Sequence, residues 1–177
     1  MKFPPISLAT SIAIVSIYTL VNFSTIDATT ASMTGLPPNQ LISLNQAQDL
    51  LPKQKNGKWG YVDSNNAQKI KFIYDEAGYF NEGLAEVKIG GKHGFINAKG
   101  KQVIALNFDE AKAFSEGVAP VKIGEKWGYI DATGKQLIKP QFEEVEDFKF
   151  GLAIVKLDGK SIYINKTGKT IWAGEPR

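Results

Sequence analysis

The stretch that decides the fold is KWGYVD at residues 58–63, because it returns as KWGYID at residues 126–131. Midway between them, residues 92–97 read KHGFIN, so three copies follow one another at an offset of 34 residues. A fourth copy, KSIYIN at residues 160–165, keeps the spacing but lacks the Trp-Gly pair. A constant offset over three intervals indicates internal duplication, and the chain from residue 50 onward is a tandem array.

The residues downstream of this stretch repeat at the same offset, and no insertion interrupts the spacing. Aromatic, glycine and valine positions align in columns, which are Tyr74, Phe108 and Phe142; Phe80, Phe114 and Phe148; Gly83, Gly117 and Gly151; and Val87, Val121 and Val155. The repeated unit is therefore about 34 residues long throughout.

A period of 34 residues also occurs in helical tetratricopeptide repeats, so the type of unit depends on local pattern. Residues 85–89 read Ala-Glu-Val-Lys-Ile, in which every second residue is apolar, as in a half-buried strand. A two-residue turn signal follows this segment in every copy: Asn56-Gly57, Gly90-Gly91, Gly124-Glu125 and Asp158-Gly159. Such pairs predict type I′ or II′ hairpins, and the unit is therefore β.

A second turn is predicted after the KWGYVD-type strand. An Asp or Asn begins it and a glycine stands three residues later, at Gly100, Gly134 and Gly168. This pattern favours a turn that ends in a left-handed residue. In the first copy Asn66 replaces the glycine, and Asn is the next residue to tolerate that conformation.

These patterns predict an all-β fold of tandem 34-residue repeats, each a three-stranded antiparallel meander, stacked into an elongated or curved array of about 3.5 repeats. Both ends are degenerate. Lys53 and Lys55 stand where later copies have Val and Ile, and Ser161-Ile162 replace Trp-Gly. Because atypical end units are characteristic of open stacks, a closed propeller-like ring is disfavoured.

The N-terminus has a different composition from the repeats. Met1-Lys2 is followed by an uncharged run at residues 6–21, too short for a spanning helix of about 20 residues, and then by small polar residues. This layout predicts a signal peptide at residues 1–28 with cleavage near 28–31, and an uncleaved anchor is the alternative. Residues 29–48 are predicted as a linker, residues 49–172 as the repeat domain and residues 173–177 as a tail.

Composition excludes several classes of function. The chain has no cysteine, so disulfide scaffolds, thiolate metal sites, thiol nucleophiles and a lipoprotein anchor are ruled out. Its formal charge is only +3 and its lysines are dispersed, which argues against nucleic acid as a partner. No metal site, cofactor fingerprint or integral membrane role after signal cleavage is predicted.

The stretch Lys58–Asp63, its copy Lys126–Asp131 and the segment Phe142–Ala153 resemble the bacterial WG (KWG) repeat family. The resemblance covers roughly residues 50–172. Two columns depart from it, since His93 replaces Trp in the second copy and Ser161-Ile162 replace Trp-Gly in the fourth. The resemblance implies short tandem β-strands and, often, an exported bacterial protein, and it implies no reaction and no particular ligand.

Two sets of residues invite a chemical role. Acidic pairs recur at Asp75-Glu76, Asp109-Glu110 and Glu143-Glu144. Neighbours on a strand point to opposite faces, so such a pair is unsuited to general acid–base catalysis, and solvated or turn-satisfying acids are the simpler interpretation. His93, the only histidine, occupies the Trp column, which favours packing over a catalytic role.

The strongest candidate for binding is aromatic. Alternation places Trp59 and Tyr61 on one strand face, and the repeat adds Phe95, Trp127 and Tyr129 to the same columns. These five residues form either the core between repeats, which we favour, or an exposed stripe that stacks on sugar rings or on a partner's apolar surface.

The function predicted from sequence is that of a non-catalytic exported protein, periplasmic, surface-bound or secreted, that binds a protein or cell-envelope component. The alternative is a carbohydrate- or peptidoglycan-binding module that uses the aromatic stripe. A hydrolase built on an acidic ladder would need two carboxylates converging across repeats and is disfavoured, because active sites are rarely repeated.

Overall fold

The structure, a computed structural model, describes residues 49–173. All of them belong to one compact unit. The predicted signal peptide, the linker up to residue 48 and residues 174–177 lie outside the described residues.

Every regular element within residues 49–173 is a β-strand. The strands are β1 Leu51–Lys55, β2 Lys58–Val62, β3 Gln68–Tyr74, β4 Glu76–Ala77, β5 Leu84–Ile89, β6 Lys92–Asn97, β7 Gln102–Phe108, β8 Glu110–Ala111, β9 Val118–Ile123, β10 Lys126–Asp131, β11 Gln136–Phe142, β12 Glu144–Val145, β13 Leu152–Leu157, β14 Lys160–Asn165 and β15 Thr170–Ala173. The described residues contain no helix that is long and apolar enough to cross a membrane.

The strands form four antiparallel sheets in which sequence neighbours are hydrogen-bonded neighbours. Sheet 1 contains β1 to β3, sheet 2 contains β4 to β7, sheet 3 contains β8 to β11 and sheet 4 contains β12 to β15. The predicted meander of three long strands is confirmed. Sheets 2, 3 and 4 each add a strand of two residues, which lies in the segment predicted as a connector.

The predicted hairpin turns have the expected backbone conformation. Both central residues have positive φ at Asn56-Gly57, Gly90-Gly91 and Asp158-Gly159, as type I′ requires. At Gly124-Glu125 only the glycine has positive φ, as in type II′. The second turn is confirmed as well, with a φ of 74° at Gly100 and 64° at Asn66.

The connector contains a further hairpin that the sequence analysis did not predict. Its central pairs are Glu82-Gly83, Glu116-Gly117 and Phe150-Gly151, and all six residues have positive φ. In the second repeat the flanking Asn81 and Leu84 exchange two backbone hydrogen bonds of 2.8 and 3.0 Å. The turn is therefore type I′, with glutamate or phenylalanine at a position that usually holds Asn, Asp or Gly.

The glycine of the Trp-Gly pair is required by a bulge in the neighbouring strand. Trp59 pairs with Tyr74 and Tyr61 pairs with Ile70, so three residues of β3 face Gly60 alone. A Cβ on Gly60 would lie 2.7 Å from the Ile70 carbonyl oxygen. In the last repeat Ile162 replaces this glycine, and there Ile162 and Tyr163 pair one-to-one with Ala173 and Trp172. Glycine and bulge thus occur together.

The hydrophobic core lies between the sheets. Each of three clusters combines one face of a sheet with the opposite face of the next. The middle cluster, for example, joins Phe95 and Ile104 of sheet 2 to Phe114 and Val121 of sheet 3. We call these the front face of the earlier sheet and the back face of the later one. The predicted stack of repeats is confirmed, with each repeat packed on its neighbours.

Candidate functional site

The predicted aromatic stripe is not an exposed surface. Tyr61, Phe95 and Tyr129 are 0% exposed, and Trp127 is 8% exposed. Trp59 is half-buried against the first core. The alternative of an exposed stripe that stacks on sugar rings is therefore wrong. The five residues lie in three successive interfaces, because each front face is covered by the next sheet. The favoured interpretation, a core between repeats, agrees with this burial.

Two lysines enclose the ring of Trp127. The ammonium groups of Lys112 and Lys122 lie 5.4 and 5.7 Å from its ring centroid, within the range of cation–π attraction. The Lys112 ammonium also donates a 2.7 Å hydrogen bond to the Val145 carbonyl of the next sheet. Trp127 thus takes part in joining sheet 3 to sheet 4.

His93 occupies the Trp position in the second repeat and is buried. Its Nδ1 contacts a carboxylate oxygen of Glu86, which stands on the adjacent strand β5. The imidazole therefore fills a packing site and satisfies its polar edge at the same time, as expected for one ring replacing another.

A cavity of ≈ 410 Å³ lies beside Trp127, where Ser161 takes the place of a fourth aromatic residue. Three of its four charged lining residues are paired, and the exception is Glu146. Lys112 binds the Val145 carbonyl, and the Lys156 ammonium lies 2.8 Å from a Glu144 oxygen. Because most of its charged groups are engaged within the protein, the cavity alone defines no binding site.

The first acid of each acidic pair accepts a hydrogen bond from a glycine amide in the turn of the following hairpin. The carboxylate of Asp75 accepts a hydrogen bond from the Gly90 amide and pairs with Lys58, at 2.7 and 2.5 Å. The ion pair and then the amide lower the pKa of Asp75. Asp109 repeats this arrangement with Lys92 and Gly124, and its pKa is lowered for the same reasons.

The second acid of each pair forms a cross-strand ion pair with a lysine. The distances are 2.6 Å for Glu76–Lys88, 2.6 Å for Glu110–Lys122 and 2.8 Å for Glu144–Lys156. Hydrogen bonding to Glu76 raises the pKa of Lys88. The expectation of turn-satisfying or solvated acids is confirmed, since both members of each pair are bound within the protein.

The turn glutamates link one repeat to the next. Glu82 accepts a 2.8 Å hydrogen bond from the Gly117 amide, in the equivalent turn of the following repeat. Glu116 accepts from the amides of Phe150 and Gly151, at 2.5 and 2.9 Å. The Gly151 amide, then the Lys166 ammonium and the Phe150 amide, lower the pKa of Glu116. Phe150 occupies this position in the last repeat and has no carboxylate that could accept a hydrogen bond.

The ionisable side chains of the described residues mainly stabilise the fold. Among residues 49–173, no group of three or more His, Cys, Asp or Glu side chains is placed to hold a metal ion. Every buried side-chain nitrogen or oxygen in this part of the chain has a hydrogen-bond partner.

The front face of sheet 4 differs from the other three, because no described sheet covers it. Ile154, Tyr163 and Trp172 stand side by side on β13, β14 and β15. Tyr163 is 36% and Trp172 57% exposed, and their ring centroids are 5.6 Å apart in an edge-to-face arrangement. We call Ile154, Tyr163 and Trp172, together with Lys160 at the edge where β14 begins, the terminal face. This face was not predicted from the sequence, although Trp172 stands at a position that holds Ile in the earlier repeats and so indicates a different environment.

Comparison with known proteins agrees with this architecture. The family model described as WG containing repeat matches residues 59–92, 94–127 and 127–160, which is more than half of the chain. The matched lengths equal the 34-residue period of the sheets. No curated protein and no solved structure matches the chain.

Proposed function

This chain belongs to the WG containing repeat family, and from that premise we propose that it is a non-catalytic binding protein whose repeats form a scaffold. The observation that carries the proposal is the terminal face, where two aromatic side chains remain exposed at the end of a stack that buries their counterparts. Exposed aromatic clusters of this kind are typical of interaction surfaces.

We propose no reaction, because the ionisable residues are engaged in contacts within the protein. The acidic pairs and the turn glutamates bind backbone amides and lysines, and His93 is buried against Glu86. Groups engaged in this way stabilise turns, strand pairs and contacts between repeats, whereas a catalytic site needs a singular arrangement that faces a substrate.

We further propose that the protein acts outside the cytoplasm, on the strength of the N-terminal pattern of Met1-Lys2, the uncharged run at residues 6–21 and the small residues that follow. Sequencing the N-terminus of native protein tests this. A start near residue 29 or 32 supports export by a cleaved signal, and intact residues 1–20 contradict cleavage.

A binding experiment with one matched pair of variants tests the proposed function. The immobilised chain, Trp172→Ala and Tyr79→Ala are each exposed to envelope proteins and, separately, to envelope polysaccharides. Tyr79 is the control because it is also exposed but stands in sheet 2's connector. A ligand that Tyr79→Ala retains and Trp172→Ala loses supports the proposal. Equal retention by all three chains contradicts a role for the terminal face.

A carbohydrate ligand remains the second candidate, now for a different reason from the one the sequence suggested. The exposed ring of Trp172 offers a flat apolar surface to a sugar, whereas the predicted stripe is buried. Retention of polysaccharide but not of protein, dependent on Trp172, would favour this candidate over a protein partner.

A further inference from the structure

We propose that the terminal face docks a β-sheet surface of another polypeptide that carries a phenylalanine, small apolar residues and an acidic side chain in the arrangement of the internal back faces. This inference rests on the proposed binding function and names the chemistry of the partner. Its basis is that three internal interfaces of the same chain show what covers an equivalent front face.

The first requirement is an aromatic ring that packs on Tyr163. In each internal interface a phenylalanine of the next sheet packs on the ring in the Tyr163 column. The centroid distances are 4.9 Å for Tyr61–Phe80, 4.8 Å for Phe95–Phe114 and 4.9 Å for Tyr129–Phe148. Tyr163 is partly exposed, and Trp172 is the only described aromatic residue that packs on its ring. A partner phenylalanine would restore the repeated contact.

The second requirement is a hydrogen-bond acceptor. The hydroxyl of Tyr61 donates to the Gly78 carbonyl at 2.8 Å, and that of Tyr129 donates to the Glu146 carbonyl at 2.7 Å. Both acceptors directly follow the first strand of the covering sheet. The equivalent hydroxyl of Tyr163 has no acceptor among the described residues, so a backbone carbonyl of the partner fits this position.

The third requirement is a negative charge opposite Lys160. In each internal interface the lysine of this column pairs with an acid of the next repeat, at 2.5 Å for Lys58–Asp75, 2.6 Å for Lys92–Asp109 and 3.9 Å for Lys126–Glu143. Lys160 is exposed, and no described carboxylate lies within 4.0 Å of its ammonium. The terminal face is thus apolar at its centre and positive at its edge.

A second copy of this chain is a poor occupant. The only other uncovered face in the described stack is the back face of sheet 1, which carries Lys53 in the column of the buried Val87, Val121 and Val155. The Lys53 ammonium donates a hydrogen bond to the Asn66 side-chain oxygen, but no described carboxylate pairs with it. Head-to-tail stacking would bury this charge against apolar residues, at a high desolvation cost. The geometry therefore points to a different polypeptide.

A defined probe tests the inference directly. A backbone-cyclised, fluorescein-labelled peptide of residues 109–123 presents Asp109, Phe114, Ala119 and Val121, the back face that covers sheet 2. Cyclisation is needed because an isolated hairpin is marginally stable in water. Fluorescence anisotropy with the full chain should show saturable binding. Trp172→Ala in the chain, or Phe114→Ala in the probe, should each weaken it about tenfold, while Tyr79→Ala in the chain should not.

A charge exchange provides a second readout that does not depend on the aromatic variants. Lys160→Glu should weaken binding of the probe by about two- to fivefold, and a probe with Asp109→Lys should recover the loss. Because Lys160 is exposed, this variant should fold normally, which far-ultraviolet circular dichroism checks.

Several results would overturn the inference. The first is the absence of saturable binding of the probe, and the second is equal binding of the probe by Trp172→Ala. The third is concentration-dependent self-association in sedimentation velocity that Trp172→Ala abolishes, since this result assigns the face to a second copy. If the probe fails while the chain still captures an envelope ligand, the terminal-face inference is wrong and the proposed binding function survives.

Discussion

The hydroxyl of Tyr129 donates a 2.7 Å hydrogen bond to the backbone carbonyl of Glu146, which directly follows the first strand of the next sheet. Tyr61 makes the same bond to Gly78 at 2.8 Å, at the same separation of 17 residues. Burial raises the pKa of both tyrosines, so both hydroxyls stay protonated and remain donors. The tyrosine after the Trp-Gly pair therefore has two functions, since its ring fills the interface and its hydroxyl joins two repeats.

Tyr129→Phe removes this bond without changing the shape of the ring. We expect a loss of about 0.5–1.5 kcal/mol in the free energy of unfolding, because the Glu146 carbonyl loses its donor. Urea denaturation measures the loss. Tyr163→Phe is the matched control, since its hydroxyl has no described acceptor, and it should leave stability unchanged. Equal losses would show that the interface bond contributes nothing.

Gly128→Ala tests the link between the Trp-Gly pair and the bulge. A Cβ at Gly128 would lie 2.5 Å from the Ile138 carbonyl oxygen, so the bulged strand must shift. We expect a loss of about 1–3 kcal/mol, as for other overpacked sites. Gly78→Ala is the control, because its Cβ would meet Glu86 at an ordinary 3.6 Å. Thermal or urea unfolding that ranks the two variants equally would contradict the steric account.

The glycines of the second turn should differ in their tolerance of asparagine. All have positive φ, but a Cβ would lie 3.1 Å from the Ile70 side chain at Gly100 and 3.5 Å from the Ile138 side chain at Gly168. Gly168→Asn should therefore cost little, as the natural Asn66 indicates, and Gly100→Asn should cost more. A reversed order of melting temperatures would show that packing against the preceding sheet is unimportant here.

Stability should fall in acid. The pKa values of Asp75, Asp109 and Glu116 are lowered in the folded protein, by the Lys58 and Lys92 ion pairs for the aspartates and by the Gly151 amide for Glu116. The unfolded chain therefore binds protons first, and the stabilisation is complete above about pH 5 and lost as pH falls below about 4. Melting temperatures between pH 3 and 7 measure this. Asp109→Asn should flatten the curve, and an unchanged curve would assign the acid sensitivity to other groups.

Much of the fold follows from short-range pattern. The period, the alternating strands and the Asn-Gly-type turns each depend on a few neighbouring residues, and the structure confirms them. The hairpin in the connector was not predicted, because Glu82, Glu116 and Phe150 have a left-handed backbone conformation that glutamate and phenylalanine rarely adopt. What holds Glu82 and Glu116 there includes hydrogen bonds to a turn about 34 residues away, which local pattern does not reveal.

The candidate surface was harder to predict than the fold. Alternation correctly grouped Trp59 with Tyr61 on one strand face, but it does not say whether another sheet covers that face. Burial of the stripe and exposure of Tyr163 and Trp172 depend on the order of sheets in the stack. Equivalent columns therefore have different roles inside the array and at its last described sheet.

The most direct test of the account compares Trp127→Ala with Trp172→Ala by urea denaturation. Trp127 is buried between sheets 3 and 4, so its loss should lower the free energy of unfolding by about 3–5 kcal/mol. Trp172 lies on the exposed terminal face, and its loss should cost about 1 kcal/mol or less. An unchanged free energy of unfolding for Trp127→Ala, or an equal and large loss for both variants, would contradict the division between a stacking core and an exposed docking face.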